Sequence, residues 1–177
     1  MEKKLDLISG GISGAITDIY SEEALHHADL YYEEIRHMTT DVEKIARNTE
    51  FTESQILLVK DYLFVSKHEI FGGFRRFDPC FEIAESWRRL AFDKENIKPH
   101  DITLINHELT EMTLVAKGVS QEEAHRQASL KYNYSLEKNE YYAKLGIEQS
   151  SKNMERTSGG ITVHNLHDDK NYDFSRW

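Results

Sequence analysis

The sequence predicts a compact, mostly α-helical domain of several helices, with a short hairpin near residues 70–77 and an irregular C-terminal tail. Two prolines and nine glycines in 177 residues leave long segments without a helix breaker. In several of these segments, apolar residues recur at the three- and four-residue spacing of an amphipathic helix. Pairs such as Thr52 with Gln55 have the spacing of a capping box, which marks a helix start.

The chain is expected to hold one folded domain between two polar ends. Residues 1–19 include a Gly/Ser-rich run and are interpreted as a flexible lead-in or linker. Residues 20–146 carry the helical patterns and form the predicted helical domain, and residues 147–177 form a polar tail. Within the tail, residues 148–160 are typical of a linker, and residues 161–166 could form a short strand.

Three helices are predicted in the first part of the domain. Ser21 can cap a helix that extends towards Met38, a short helix follows from Asp41, and Thr52 opens a third. The second and third helices together resemble a helix-turn-helix. A DNA-reading helix would need a continuous positive face along residues 54–67, where acidic residues also occur, so we favour ordinary helix packing.

The most cationic and aromatic stretch is residues 71–77, which read FGGFRRF. The two glycines predict a turn. Arg75 and Arg76 are candidate substrate-binding residues, since arginine beside aromatic rings can hold a phosphate or a base. The alternative is a surface turn that its phenylalanines anchor.

A fourth helix is predicted from Asp78 to Asp93. Asp78 is a suitable cap, and Pro79 would then take the first helical position. Trp87 and Arg88 of this helix are candidates to line a substrate site. Trp87 fits a core position equally well, because it falls on the apolar face.

A fifth helix is predicted from Asp101, which can cap it, to Gly118, which stops it. The helix has apolar residues on two sides and should therefore lie centrally in the fold. The second apolar stripe contains His107 and Glu111, four residues apart, between two leucines. A buried carboxylate needs a partner, which His107 would supply directly or through a metal ion.

The next helix begins with Ser120 and Glu123, another capping-box pattern, and brings a third candidate ligand. His125 shares a face with small alanines, so the two helices can approach closely and His125 can reach His107 and Glu111. Two imidazoles and one carboxylate are a suitable ligand set for zinc or another divalent metal. Imidazoles more than about 8 Å apart could not share such an ion.

Residues 107–111 read HELTE, an HExxE pattern in which the second histidine of the HExxH zincin motif is replaced by Glu111. Glu108 occupies the position of the general base. Two other interpretations stay open. The cluster could be a buried His–Glu hydrogen bond that orients two helices, or a metal-free acid–base pair for phosphodiester or glycosidic cleavage.

His68 is a further candidate catalytic residue, because it precedes the His100–Asp101 dipeptide in the order used by all-helical phosphohydrolases of the HD type. Asp101 directly follows a proline and a histidine at a helix start, so we favour a capping role for it.

The last predicted helix spans residues 136–145, and Gly146 ends it. Beyond it, His164, His167 and Asp168 form a cluster that could hold a metal ion but that we expect to be solvated in a polar tail.

Composition limits the class of protein. A net charge of −9 disfavours nonspecific binding to nucleic acid and to anionic membranes. One cysteine, Cys80, excludes an intrachain disulfide and a cysteine-rich zinc site. No apolar run reaches the length of about 18 residues that spans a membrane, and no signal peptide is evident. We expect a cytoplasmic protein, or one that a phage or specialised secretion system delivers without a cleavable signal peptide.

Four segments (83–90, IAESWRRL; 100–112, HDITLINHELTEM; 122–129, EEAHRQAS; 131–134, KYNY) resemble a domain of phage minor head proteins and bacterial polymorphic toxins. The resemblance extends back to the first helix and to residues 63–70. It implies a toxin or effector module, commonly with hydrolase activity. It also implies a cognate immunity protein, or a larger phage or secretion protein, as partner.

The sequence therefore predicts an effector-like hydrolase, either a zincin-like metallopeptidase or a nuclease, that uses a buried His/Glu cluster. The competing hypothesis is a noncatalytic structural or interaction module of a phage. It predicts that His107, Glu111 and His125 do not converge on a cleft.

Overall fold

The computed structural model describes residues 19–70 and 73–157, and they form a mostly helical fold, as predicted. Seven α-helices follow one another: α1 (Glu22–His37), α2 (Asp41–Asn48), α3 (Glu53–Lys60), α4 (Phe81–Phe92), α5 (Pro99–Ala116), α6 (Gln121–Lys131) and α7 (Tyr134–Thr157). A π-helical turn, Asp61–Val65, extends α3, and a short 3-10 helix, Lys94–Asn96, precedes α5.

The predicted hairpin is present. Strands β1 (His68–Ile70) and β2 (Gly73–Arg75) pair antiparallel, with His68 opposite Arg75 and Ile70 opposite Gly73. None of the described helices is both long and apolar enough to cross a bilayer. The predictions for residues 1–18, for the strand at 161–166 and for the cluster of His164, His167 and Asp168 lie outside the described residues.

One hydrophobic core joins most of the helices. Its members share full or nearly full burial: Tyr32, Ile35, Ile45, Ile56, Val59, Phe64, Trp87, Leu90, Leu104 and Ile105. They come from α1, α2, α3, the π-helical turn, α4 and α5. Both apolar sides of α5 find neighbours, since Leu104 and Ile105 are each completely buried. The predicted central position of α5 is therefore confirmed.

Local capping signals placed several helix starts correctly. The Ser21 side chain accepts a hydrogen bond from the Ala24 N–H (3.1 Å). Thr52 and Gln55 form the predicted capping box, with hydrogen bonds in both directions. At α6, Ser120 caps the N–H of Glu123 at 3.4 Å.

Two predicted caps were wrong. The helix α4 begins at Phe81 rather than at Pro79, and exposed Asp78 forms an ion pair with Arg75 (2.6 Å) instead of capping it. The helix α5 begins at Pro99, so Asp101 lies in its first turn rather than at the cap. The Asp101 carboxylate still accepts the Lys98 N–H (2.8 Å) and thus satisfies the helix start from inside.

The prediction that Gly146 ends the last helix was also wrong, because α7 continues to Thr157 and includes most of the predicted linker. A helix-ending glycine normally adopts a positive φ angle. Among the described glycines, only Gly73 (134°) and Gly118 (88°) do so. At Gly146 the chain stays helical, and glycine there costs only about 1 kcal/mol relative to alanine.

Replacing Gly118 with alanine is expected to lower the free energy of unfolding by about 1–2 kcal/mol, because alanine adopts the positive φ of this α5–α6 turn only with strain. No atom lies within 4 Å of a Cβ at either Gly118 or Gly146. Gly146→Ala is therefore the matched control, and it should stabilise the protein by about 0.5–1 kcal/mol. Denaturant unfolding measures both changes, and a neutral Gly118→Ala would contradict the strain argument.

Candidate metal centre

The cluster predicted around His107 is formed by α5 and α6. His107 and Glu111 lie one turn apart on the same side of α5. The turn at Gly118 reverses the chain, and α6 then packs on α5 through Ala124 and Ala128, which are both completely buried. These small side chains let the helices approach closely and bring His125 to the other two residues.

The three side chains direct one donor atom each towards a common point, and as a group they could hold a metal ion. His107 Nε2 lies 3.2 Å from His125 Nδ1 and 3.3 Å from Glu111 Oε2, and His125 Nδ1 lies 2.8 Å from Glu111 Oε2. Ligands of a tetrahedral zinc ion with bonds of about 2.1 Å are separated by about 3.4 Å. The triangle is thus close to one face of a zinc tetrahedron and would expand slightly on binding.

A backbone carbonyl group fixes the orientation of the His107 ring. Its Nδ1 lies 2.9 Å from the carbonyl oxygen of Tyr132, which can only accept a hydrogen bond. Nδ1 therefore carries a proton, and Nε2 faces Glu111 and His125; Nε2 can donate to them only in the imidazolium form and offers a lone pair in the neutral ring. Metal-binding histidines typically have such a carbonyl partner, which sets the tautomer. A lone pair facing a carboxylate oxygen requires a cation between them, either a proton or a metal ion.

Both carboxylate oxygens of Glu111 have polar contacts. Oε2 faces the two imidazoles, and Oε1 accepts hydrogen bonds from the Tyr62 hydroxyl (2.7 Å) and from the Gln121 amide. Burial alone raises the pKa of Glu111, but hydrogen bonds from its two histidine neighbours and from Tyr62 outweigh it and bring the pKa to about 2. Burial and the charge of Glu111 raise the pKa of Tyr62, so its hydroxyl stays protonated and donates.

Glu108 differs from the other buried acids of the described residues. Asp41, Glu82, Glu85, Asp101 and Glu111 each have a hydrogen bond or an ion pair. Glu108 is buried, yet no described residue offers it either interaction. Burial, together with repulsion from Glu111, raises its pKa well above the usual value. A buried carboxyl group without such a contact costs stability when it ionises.

The cluster is most exposed at His125. The His125 side chain is 27% exposed, whereas those of His107 and Glu111 are about as buried as core residues, at 5% and 4%. Two of the three donor side chains are thus enclosed, and the third is partly exposed.

His68 lies next to the cluster without joining it. Its ring contacts Tyr62 edge-on (centroids 4.4 Å apart), and its Nε2 lies 2.7 Å from the Tyr62 carbonyl oxygen. His68 also stacks on Phe77 at 4.4 Å. It thus approaches Glu111 only through Tyr62, and the geometry does not make it a fourth ligand.

The candidate substrate-binding residues do not gather around the cluster. Arg75 and Arg76 are exposed; Arg75 pairs with Asp78, and Arg76 donates to the Val65 carbonyl (2.9 Å). Trp87 is completely buried in the core and donates its indole N–H to Asp41 (3.0 Å), so it presents no surface to a substrate.

Arg88 is largely buried. It pairs with Glu85 (3.3 Å), which in turn contacts His27 (3.2 Å). It belongs to a polar contact between α1 and α4, which is a structural role.

The key residues of the two alternative sites, the His100–Asp101 dipeptide and the helix-turn-helix, form structural contacts instead. Asp101 forms two hydrogen bonds with buried Arg89 (2.7 and 2.8 Å), and burial lowers the pKa of neighbouring His100 to about 4. The His100–Asp101 pair therefore has a structural role, in which Asp101 accepts the Lys98 N–H from the first turn of α5 and pairs with Arg89. Lys60 of the helix-turn-helix hypothesis is buried against Asp41, so α3 offers no continuous positive face.

Sequence reasoning missed the residues that hold the cluster in place. Neither Tyr62 nor Gln121 was predicted to contact the cluster. The carbonyl of Tyr132 leaves no signal in the sequence. These residues act through Glu111 and His107, and long-range packing rather than local pattern brings them there.

Comparison of the chain with protein-family models, curated proteins and solved structures gives no match.

Proposed function

We propose that the protein is a metal-dependent hydrolase of the effector kind, with zinc or a similar divalent ion held by His107, Glu111 and His125. The observation that carries the proposal is the donor triangle, with sides of 2.8, 3.2 and 3.3 Å. Two imidazoles and one carboxylate leave a fourth position for water or substrate, which is the arrangement of catalytic rather than structural zinc.

The roles of the side chains follow from their surroundings. His107 and Glu111 form the enclosed part of the ligand set, and partly exposed His125 completes it. A zinc ion held there would lower the pKa of a coordinated water and polarise a carbonyl or phosphoryl oxygen. Glu108, adjacent to the first ligand and without a hydrogen bond or ion pair among the described residues, is the proposed general base that would accept the proton of an attacking water.

The effector assignment rests on the resemblance of residues 81–134 to toxin and phage head-protein domains. It favours either peptide or phosphodiester hydrolysis, with an immunity protein or a larger phage or secretion protein as partner. The net charge of −9 favours a defined substrate over nonspecific binding to nucleic acid.

Metal analysis of the purified protein beside a His107→Ala variant tests the proposal. We expect about one metal ion per wild-type chain. Loss of an outer partner already weakens metal binding about 10–100-fold, so loss of a ligand should weaken it at least about 100-fold. His26→Ala, which removes an exposed histidine from α1, is the matched control and should bind as the wild type does.

Activity is measured on a panel of peptide, RNA and DNA substrates, with and without a chelator. Cleavage that the chelator abolishes and that added zinc restores supports the proposal. If the wild-type protein binds no zinc and His107→Ala is equally active, the metallohydrolase interpretation fails.

The noncatalytic alternative is favoured by one observation. Tyr62, Gln121, His125 and Glu111 form a hydrogen-bonded network that can join α5 to α6 without a metal ion. If the cluster has only this role, addition of zinc leaves the thermal midpoint unchanged, since a ligand stabilises the folded state only if it binds there.

A further inference from the structure

We infer that Tyr62 is a positioning residue, which fixes the Glu111 carboxylate so that one oxygen alone, Oε2, serves as metal ligand. The inference rests on the proposed metal site and specifies how the fold shapes it. Tyr62 does not belong to α5 or α6, the two helices that carry the three candidate ligands. It comes from the π-helical turn after α3, and its hydroxyl reaches Glu111 Oε1 at 2.7 Å.

The two oxygens of Glu111 have separate environments. Oε1 accepts from the Tyr62 hydroxyl and from the Gln121 amide, and these two donors also contact each other (2.5 Å). A carboxylate oxygen that accepts two hydrogen bonds has used both of its lone pairs. Oε2 faces the two imidazoles, so it is the oxygen that a cation held by these rings would contact. Glu111 would therefore bind the metal through one oxygen rather than two.

The backbone around Tyr62 has a form suited to this task. In the turn Asp61–Val65, the Ser66 N–H bonds to the Asp61 carbonyl (2.7 Å), five residues back. Such π-helical turns are rare and concentrate at functional sites. The wider turn changes the direction of the side chains relative to the preceding α3, and Tyr62 is the member of the turn that contacts the cluster.

His68 of the hairpin and Phe77 just after it also contact the Tyr62 ring. His68 of β1 contacts the ring edge-on at 4.4 Å, and Phe77 contacts it at 5.7 Å. His68 also contacts the Tyr62 backbone carbonyl (2.7 Å), so ring and backbone are fixed together. His68 then acts through Tyr62 as part of the support of Glu111, which explains its place beside the site without a ligand role.

Tyr62→Phe tests the inference, because it removes the hydroxyl and retains the ring that packs on His68. We expect zinc affinity to fall about 10–100-fold, the usual effect of losing an outer-shell partner. We also expect the visible spectrum of the Co²⁺-substituted protein to weaken. Glu111 can then bind through both oxygens, and cobalt of higher coordination number absorbs less strongly than tetrahedral cobalt.

Tyr31→Phe is the matched control, because it removes from α1 a buried hydroxyl that has no hydrogen-bond partner among the described residues. This variant should keep the affinity and the cobalt spectrum of the wild type. Gln121→Met removes the second donor to Oε1 and provides an independent variant if Tyr62→Phe does not fold. It should change both measurements in the same direction as Tyr62→Phe does.

The outcomes separate the inference from the proposal beneath it. If the wild type binds zinc, and both Tyr62→Phe and Gln121→Met keep its affinity and spectrum, the positioning role is overturned and the metal site stands. If the wild type binds neither zinc nor Co²⁺, both are overturned. A changed cobalt spectrum in a variant whose metal-free thermal midpoint is that of the wild type supports positioning, since a merely structural role would not produce it.

Discussion

Replacement of Glu108 with glutamine is expected to lower kcat about 10²–10⁴-fold, the usual contribution of a general base, while the metal content stays that of the wild type. Glutamine has the shape of glutamate but cannot accept a proton. Glu108 donates no atom to the ligand triangle and has no hydrogen-bond partner among the described residues, so the ligand geometry should persist. The measurement is the hydrolysis rate at saturating substrate beside the zinc content.

Glu122→Gln, on the exposed side of α6, is the matched control for this variant and should be fully active. An unchanged kcat in Glu108→Gln would remove Glu108 from the mechanism. A variant that loses activity together with its zinc would show that the substitution damaged the ligand set instead.

Glu108→Gln should also change the way in which the stability of the metal-free protein depends on pH. The folded state binds the Glu108 proton more tightly than the unfolded chain does, because burial and the charge of Glu111 raise its pKa. That contribution to stability is fully present below the unfolded pKa of about 4.3 and is lost as the pH rises through the folded value. Glu108→Gln should therefore match or exceed the wild-type stability at high pH.

Much of the site could be predicted because it depends on helical periodicity. His107 and Glu111 lie one turn apart on the second apolar stripe of α5, and the structure buries both. His125 could be added because the small alanines of α6 allow a close approach between helices. The expected convergence is present, with imidazole centroids 4.9 Å apart.

The supporting contacts could not be predicted, because they depend on tertiary packing. Continued helical periodicity after α3 gives no indication of the π-helical turn that presents Tyr62. At the start of α5, Asp101 is of a residue type that often caps helices. Its position also depends on its hydrogen bonds with buried Arg89, twelve residues earlier. The local sequence pattern predicted that Asp101 stabilises the start of a helix. Its position in the first turn, rather than at the cap, depends on packing.

Replacing Asp41 with alanine is expected to lower the free energy of unfolding by about 3–5 kcal/mol, the usual cost of breaking a buried ion pair. Asp41 is completely buried at the start of α2 and accepts from the Lys60 ammonium (2.9 Å) and the Trp87 indole (3.0 Å). Within the part of the chain that the structure describes, loss of the carboxylate leaves the Lys60 charge with the Met38 carbonyl as its one partner (2.7 Å) and the indole N–H with none. Denaturant unfolding at neutral pH measures the loss.

The cost should come from the buried charge and not from the ion pair as such. Glu43 and Arg47 form a pair on the exposed surface of the same helix, so Glu43→Ala should change stability by no more than about 1 kcal/mol. Combining Asp41→Asn with Lys60→Met removes both charges and should recover much of the stability lost in Asp41→Ala. If the double variant is as unstable as Asp41→Ala, the loss arises from the packing around Trp87, and the charge argument for this core is wrong.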